Sequence, residues 1–364
     1  MALTSRKQDK LFFTYKELTA GVADTNAFLE SHGLMSAPEP DFQVESNYGK
    51  LGTGEHGTKN ELQAVWTPFS VKTQRFSEIA FLLSYFMGKT DFVRTVTSGV
   101  YMHEILHLPV SSRTLPTFGL QFGNASSNKV LSGCVINEFQ LAFSKGGTGA
   151  VEGTFTGFGN RHNITAGVIT QNASGTLATG EIATATEPLV NIKSTHLFMA
   201  DTLESPFGIS SLSTTGPDLG ANESEITSIL NSFTISGNNG MSAENFARAG
   251  GGGLINDWTR GDRRFTLEMN LRKDASVADI AAYILNGTRH ALEFQFVGPF
   301  IAATSYRYSL HWFFPVMQFT KAPEDDESPI SCAVSTEVFE DSNGNSMLAY
   351  AQSAISHAYN TTKV

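Results

Sequence analysis

The chain has 364 residues, 41% hydrophobic and only 16% charged, so a sizeable core can form and wholesale disorder is excluded. Acidic residues outnumber basic ones 35 to 25, a net charge of −10, which excludes a protein that reads or tightly wraps DNA through phosphate contacts. The length suggests two domains or one large β domain, and 33 glycines with 27 phenylalanines suit many strands joined by tight turns.

The N-terminal stretch MALTSRKQDK has no apolar core of the kind a secretory leader needs, so none is expected. KLFFTYKE (10–17) then reads as a strand. A glycine-rich loop, NYGKLGTGEHGTKN (47–60), precedes a second strand, ELQAVWTPFSV (61–71). SEIAFLLSYFMG (77–88) breaks the period of two. Ile79, Leu82, Leu83, Phe86 and Met87 fall on one helical stripe, with Ser77 placed to cap the start and Gly88 to end it. Strands return in TFGLQFG (117–123), VINEFQLAF (135–143) and AVEGTFTGF (150–158).

The second half repeats this plan. HLFMADTL (196–203) answers the first strand, and NNGMSAENFARAGGGG (238–253) answers the glycine-rich loop. RRFTLEMNL (263–271) is the strand before a second capped helix, SVADIAAYILNG (276–287), whose stripe holds Val277, Ile280, Ala281, Ile284 and Leu285. ALEFQFV (291–297), YSLHWFFPVMQF (308–319) and SCAVSTEVF (331–339) complete the series, with Val135–Phe143 set against His311–Phe319. The spacing between matched elements varies, so this is a duplicated module and not a solenoid. The expected division is a first module at 1–160, a Ser/Thr/Gly/Ala-rich connection at 161–194, and a second module at 195–364.

Four motifs invite a chemical reading. HEILH (103–107) spells the zinc-protease signature, with His103 and His107 as ligands and Glu104 as general base if the segment is helical. Gly99 and Pro109 crowd it on both sides, no third histidine follows at metzincin spacing, and the flanks read as a strand. GTGEHG (52–57) matches a dinucleotide fingerprint in letters alone, because a strand and not a helix follows. EDDE (324–327) lacks the alternation of a calcium loop and reads as a solvated turn between Pro323 and Pro329. Trp66, Trp258 and Trp312 suit a core or subunit contacts better than sugar stacking. Cys134 and Cys332 lie in apolar strand-like runs without metal spacing and are expected as buried free thiols in a reducing compartment. No catalytic residue, cofactor-binding residue or metal ligand is therefore assigned, and no apolar run is long enough to span a membrane.

The order of these pieces resembles the tail tube proteins of long-tailed bacteriophages. GVYMHEILHLPVSSRTLPTFGLQFGN (99–124) and LSGCVINEFQLAFSKGGTGAVEGTFTGFGN (131–160) carry the resemblance, with SFTISGNNG (232–240), GDRRFTLEMNL (261–271) and STEVFEDSNGN (335–345). It implies a mainly β fold, here two tandem β-sandwich or partial-barrel modules, each flanked by a helix. It implies a structural subunit, not an enzyme, in the virion tail, assembled in the host cytoplasm. Subunits of such a protein stack as rings around a lumen that holds the tape-measure protein and conducts double-stranded DNA. Tail terminator and baseplate proteins would be further partners, with no membrane and no cofactor. Family rings commonly hold six modules, so a two-module chain implies trimeric rings over hexameric ones. The readings from other classes are a zinc metallohydrolase on His103, Glu104 and His107, and a carbohydrate-binding β-sandwich of a fibre or adhesin.

Overall fold

A computed structural model describes residues 11–19, 22–31, 41–47, 59–89, 92–108, 114–124, 127–144, 149–159, 161–163, 188–191, 195–200, 223–226, 230–241, 261–272, 280–321, 331–342, 344–356 and 358–360. The first half holds β1 (Leu11–Thr19), β2 (Val22–Ser31), β3 (Asp41–Asn47), β4 (Lys59–Thr73), α1 (Phe76–Met87), β5 (Phe92–Thr97) and β6 (Val100–Ile105). It continues through β7 (Phe118–Asn124), β8 (Ser127–Ser144), β9 (Glu152–Gly159) and β10 (Arg161–Asn163). The second half holds β11 (Thr195–Ala200), β12 (Glu223–Glu225), β13 (Leu230–Asn238), β14 (Arg264–Arg272) and α2 (Ile280–Asn286). It ends with β15 (Arg289–Phe300), β16 (Arg307–Lys321), β17 (Ser331–Phe339) and β18 (Leu348–Ser353). The fold is mainly β, as the period-two runs predict, and every strand pairing is antiparallel.

The pairings follow one order twice. In the first half β4 pairs β9, β9 pairs β8, β8 pairs β7, β7 pairs β1 and β1 pairs β2. In the second, β14 pairs β17, β17 pairs β16, β16 pairs β15, β15 pairs β11 and β11 pairs β12. The hairpins β3–β4 and β13–β14 stand at the same place in each series, and β10 and β18 each return to the long central strand of their own half.

Register irregularities match as well. The β7–β8 shift between Phe118 and Leu120 answers the β15–β16 shift between His290 and Leu292. The β8–β9 shift between Ile136 and Glu138 answers the β16–β17 shift between Phe319 and Lys321. These shifts set Ile136 against Phe319, not against Trp312 as the sequence alignment of the two strands has it. Both strands carry consecutive apolar residues, Cys134–Val135–Ile136 in β8 and Trp312–Phe313–Phe314 in β16, so the letters alone do not single out one register; the bulges do.

The helices differ in surroundings. All twelve residues of α1 are buried, which suits a segment that is apolar on nearly every side. Its N-cap is Arg75, not Ser77, and no side chain caps it; instead Thr73 donates its hydroxyl to Glu78, an acidic residue in the first turn that favours the positive end of the helix dipole. Gly88 ends the helix in the left-handed conformation at φ 88°, its N–H donating 2.8 Å to the Ser84 carbonyl. Gly287 after α2 is left-handed too, at φ 62°, but its N–H donates 3.2 Å to the Ile284 carbonyl three residues back. The expected start of the second helix, 276–279, lies outside the described residues, and Leu285 near its end is 85% exposed.

One apolar cluster joins the halves. Phe69, Phe86 and Phe139 of the first share it with Phe265, Trp312 and Phe319 of the second. Most of the expected connection at 161–194 lies outside the described residues. Within its described part, the Val190 N–H donates 2.7 Å to the Gln74 carbonyl, and the Val190 carbonyl accepts from the Val151 N–H at 3.0 Å. Among the described residues no helix is long and apolar enough to cross a membrane.

Candidate functional site

HEILH starts on a strand and runs past its end. Val100–Ile105 forms β6, paired with β5 on one side and β18 on the other, so His103 and Glu104 point to opposite faces. His103 is fully buried, its Nε2 3.0 Å from the Ile355 carbonyl and its ring stacked 4.1 Å from that of Tyr359. His107 sits past the strand end, with Nδ1 3.0 Å from the Leu108 carbonyl. The three side chains do not converge. Among the described residues no group of three His, Cys, Asp or Glu is placed to hold a metal ion.

The other motifs are equally plain. GTGEHG (52–57), EDDE (324–327) and Trp258 lie outside the described residues. Trp312 fills the shared core and Trp66 a smaller cluster with Leu108, Leu115, Val135 and Met241. Cys134 is buried and free; burial, reinforced by the Glu17 carboxylate, holds its thiol pKa well above the ordinary value, so the sulfur is inert at neutral pH. Cys332 lies on β17. A buried His311 Nδ1 meets Glu293 Oε1 at 2.7 Å, tying β16 to β15 beneath the sheet surface.

The built polar site lies where the halves meet. Here β8 pairs β13 from Glu138↔Asn238 to Ser144↔Ser232, so one sheet runs from the first half into the second. Just beyond β13, Asn239 is fully buried and donates from Nδ2 to the Phe86 carbonyl at 3.1 Å and the Ile136 carbonyl at 2.9 Å. Arg263, entering β14, donates from Nη2 to the carbonyls of Phe86 (2.8 Å) and Met87 (3.1 Å), and from Nε to Asn239 Oδ1 (2.7 Å). The last carbonyls of a helix lack intrahelical donors and carry the negative end of its dipole. The first half's helix is therefore capped by a cation and an amide from the second half.

Apolar packing closes around this cap. The Phe86 ring meets Phe139 at 4.8 Å and Phe265 at 5.9 Å, with the Arg263 guanidinium 5.0 Å from its centroid. Gly237 on β13 leaves room for those rings; a Cβ there would lie 2.4 Å from a Phe139 ring carbon. The Met241 N–H donates 2.9 Å to Asn137 Oδ1, and its side chain joins the Trp66 cluster. The start of the second glycine-rich loop thus holds one half of the chain to the other, a contact that the sequence marks only as a long loop. Neither Arg263 nor Asn239 stands out by residue type; the sole signal is the Asn-Asn-Gly that ends one strand and the Arg-Arg that opens the next.

This arrangement holds strands together and offers no nucleophile, base or metal site among the residues it gathers. No curated protein matches the sequence. A family model does: that of the phage tail tube protein, over residues 67–338, from β4 through both helices to β17. The match covers most of the chain, and it agrees with the mainly β antiparallel fold. The chain belongs to the phage tail tube protein family, and its role is that of a structural component of the virion tail that self-assembles into a tube.

Proposed function

We propose that the chain polymerises as stacked rings around a lumen that holds the tape-measure protein and later conducts double-stranded DNA, with tail terminator and baseplate proteins bounding the tube. Assembly takes place in the host cytoplasm. The net charge of −10 favours passage of DNA without retention, since an acidic wall repels phosphates.

The observation that carries the finer reading is the doubled pairing order with its matched bulges. Two units of one plan in one chain let three chains supply six positions, giving a threefold ring of pseudo-sixfold outline. On this reading the β8–β13 seam and the Arg263 cap are the contact between neighbouring positions, built once inside each chain. Continuous sheet around a ring also leaves no exposed edge for uncontrolled pairing.

A second reading draws on the apolar cluster shared by the halves. It takes the chain as one enlarged module, with six chains per ring. Negative-stain electron microscopy of the purified protein with a tail-tip nucleus tests the shared part of both: tubes of uniform diameter are expected. A protein that stays monomeric with every nucleus tried, yet binds a sugar or a metal, contradicts it.

A further inference from the structure

We propose that the exposed end of α2, around Leu285, is the docking surface for the β3–β4 hairpin of a second copy of this chain. The inference rests on the tandem reading above. Each half runs hairpin, helix, then long central strand, and in each the helix ends on a left-handed glycine, Gly88 or Gly287. Phe86 and Leu285 each precede that glycine by two residues. Phe86 is fully buried because the β13–β14 hairpin of the other half closes over it, while Leu285 is 85% exposed. The same position, covered within the chain in one half, is open in the other.

The hairpins show the complementary difference. β13 pairs β14 on one edge and β8 on the other. Among the described residues β3 pairs β4 alone, over Asp41–Asn47 and Lys59–Trp66. Trp66 at the base of that stretch is buried against Leu108, Leu115, Val135 and Met241 and precedes Thr67–Thr73, the part that pairs β9, so the hairpin extends beyond Trp66, over Lys59–Val65 and β3, as an arm on the order of 20 Å long. An arm whose β3 edge is unpaired among the described residues, and a helix end with an exposed leucine, stand where the chain's own seam has a hairpin over a helix end. A closed ring needs both filled, and a second copy supplies each with the other.

Photo-crosslinking tests this. With Leu285→p-benzoylphenylalanine in tubes grown from mixed isotope-labelled and unlabelled subunits, the crosslinked peptides should join position 285 to residues 41–66 of a different copy. Crosslinks within one chain, or to any other region of the neighbour, overturn the docking mode while leaving the tail-tube role standing. Failure of unsubstituted protein to form tubes overturns that role and the docking mode together. In parallel, Leu285→Arg should leave the monomer's circular dichroism and unfolding midpoint unchanged and slow tube growth at least tenfold. Unchanged growth contradicts the proposal.

Discussion

Arg263 reaches across from the second half of the chain to donate 2.8 Å to the Phe86 carbonyl while its guanidinium lies 5.0 Å from the centroid of the same residue's ring. A helix end and its last aromatic ring are thus both served by one cation. Removing that cation leaves carbonyls short of a donor in a partly buried setting. Arg263→Ala is expected to destabilise the chain by about 2–3 kcal/mol, read from urea unfolding. Arg263→Lys, which keeps charge but not the forked geometry, should recover about half of that loss. Equal stability of the alanine variant and the parent contradicts this account of the seam.

Close strand packing makes Gly157 a second test. A Cβ at this position would lie 1.9 Å from the Val135 carbonyl oxygen across the β8–β9 pairing. Backbone cannot yield there without breaking the ladder, so Gly157→Ala should cost more than about 3 kcal/mol or prevent soluble expression. Gly344 is the control: its φ is 77°, but nothing lies within 4 Å of a built Cβ. Gly344→Ala should cost only about 1 kcal/mol, the strain of the left-handed backbone.

Alkaline pH provides a third. Burial, with a smaller contribution from the Glu104 carboxylate, pushes the Tyr350 phenol well above its ordinary pKa, so the folded chain keeps it neutral. The unfolded phenol ionises near pH 10. The folded-state preference is therefore fully present below about pH 10 and is lost as pH rises past it, at up to about 1.4 kcal/mol per pH unit. Cys134 acts in the same direction from about pH 8.5. Tyr350→Phe should flatten the decline above pH 10 and leave the earlier part in place, as measured by urea midpoints across pH 8–11.5.

The fourth prediction concerns HEILH. Glu104→Gln should leave folding and tube growth unchanged, and elemental analysis should find no stoichiometric zinc. His103→Ala should instead cost about 1–3 kcal/mol, because its ring stacks on Tyr359 and its Nε2 meets the Ile355 carbonyl. A pattern in which Glu104 matters for a hydrolytic activity and His103 matters through a bound metal contradicts the structural reading.

Much of this was legible in the residues. The presence of the two helices, the left-handed glycines at 88 and 287, and the strand at the start of HEILH follow from local periodicity and punctuation, but the stripes do not: α1 is buried on every side, and Leu285, placed on the apolar stripe of α2, is 85% exposed. β18 is missed because LAYAQS is buried along its whole length with no alternation and two alanines of weak strand preference. β5, FVRTVT, is missed for the opposite reason: it is mostly exposed, Phe92 included, so its apolar letters mark no buried face. The relative register of β8 and β16 is set by bulges, which leave no letter pattern. The cap of α1 is least legible of all, since Arg263 meets Phe86 only after the chain has returned from a separate half.

The central claim is that each chain fills two equivalent positions of a ring. A cryo-electron-microscopy reconstruction of the assembled tube measures this directly. Three chains per ring are predicted, with α1 and α2 alternating around the circumference and a β3–β4 hairpin over every α2 end. Six chains per ring, each acting as one enlarged module, contradict it.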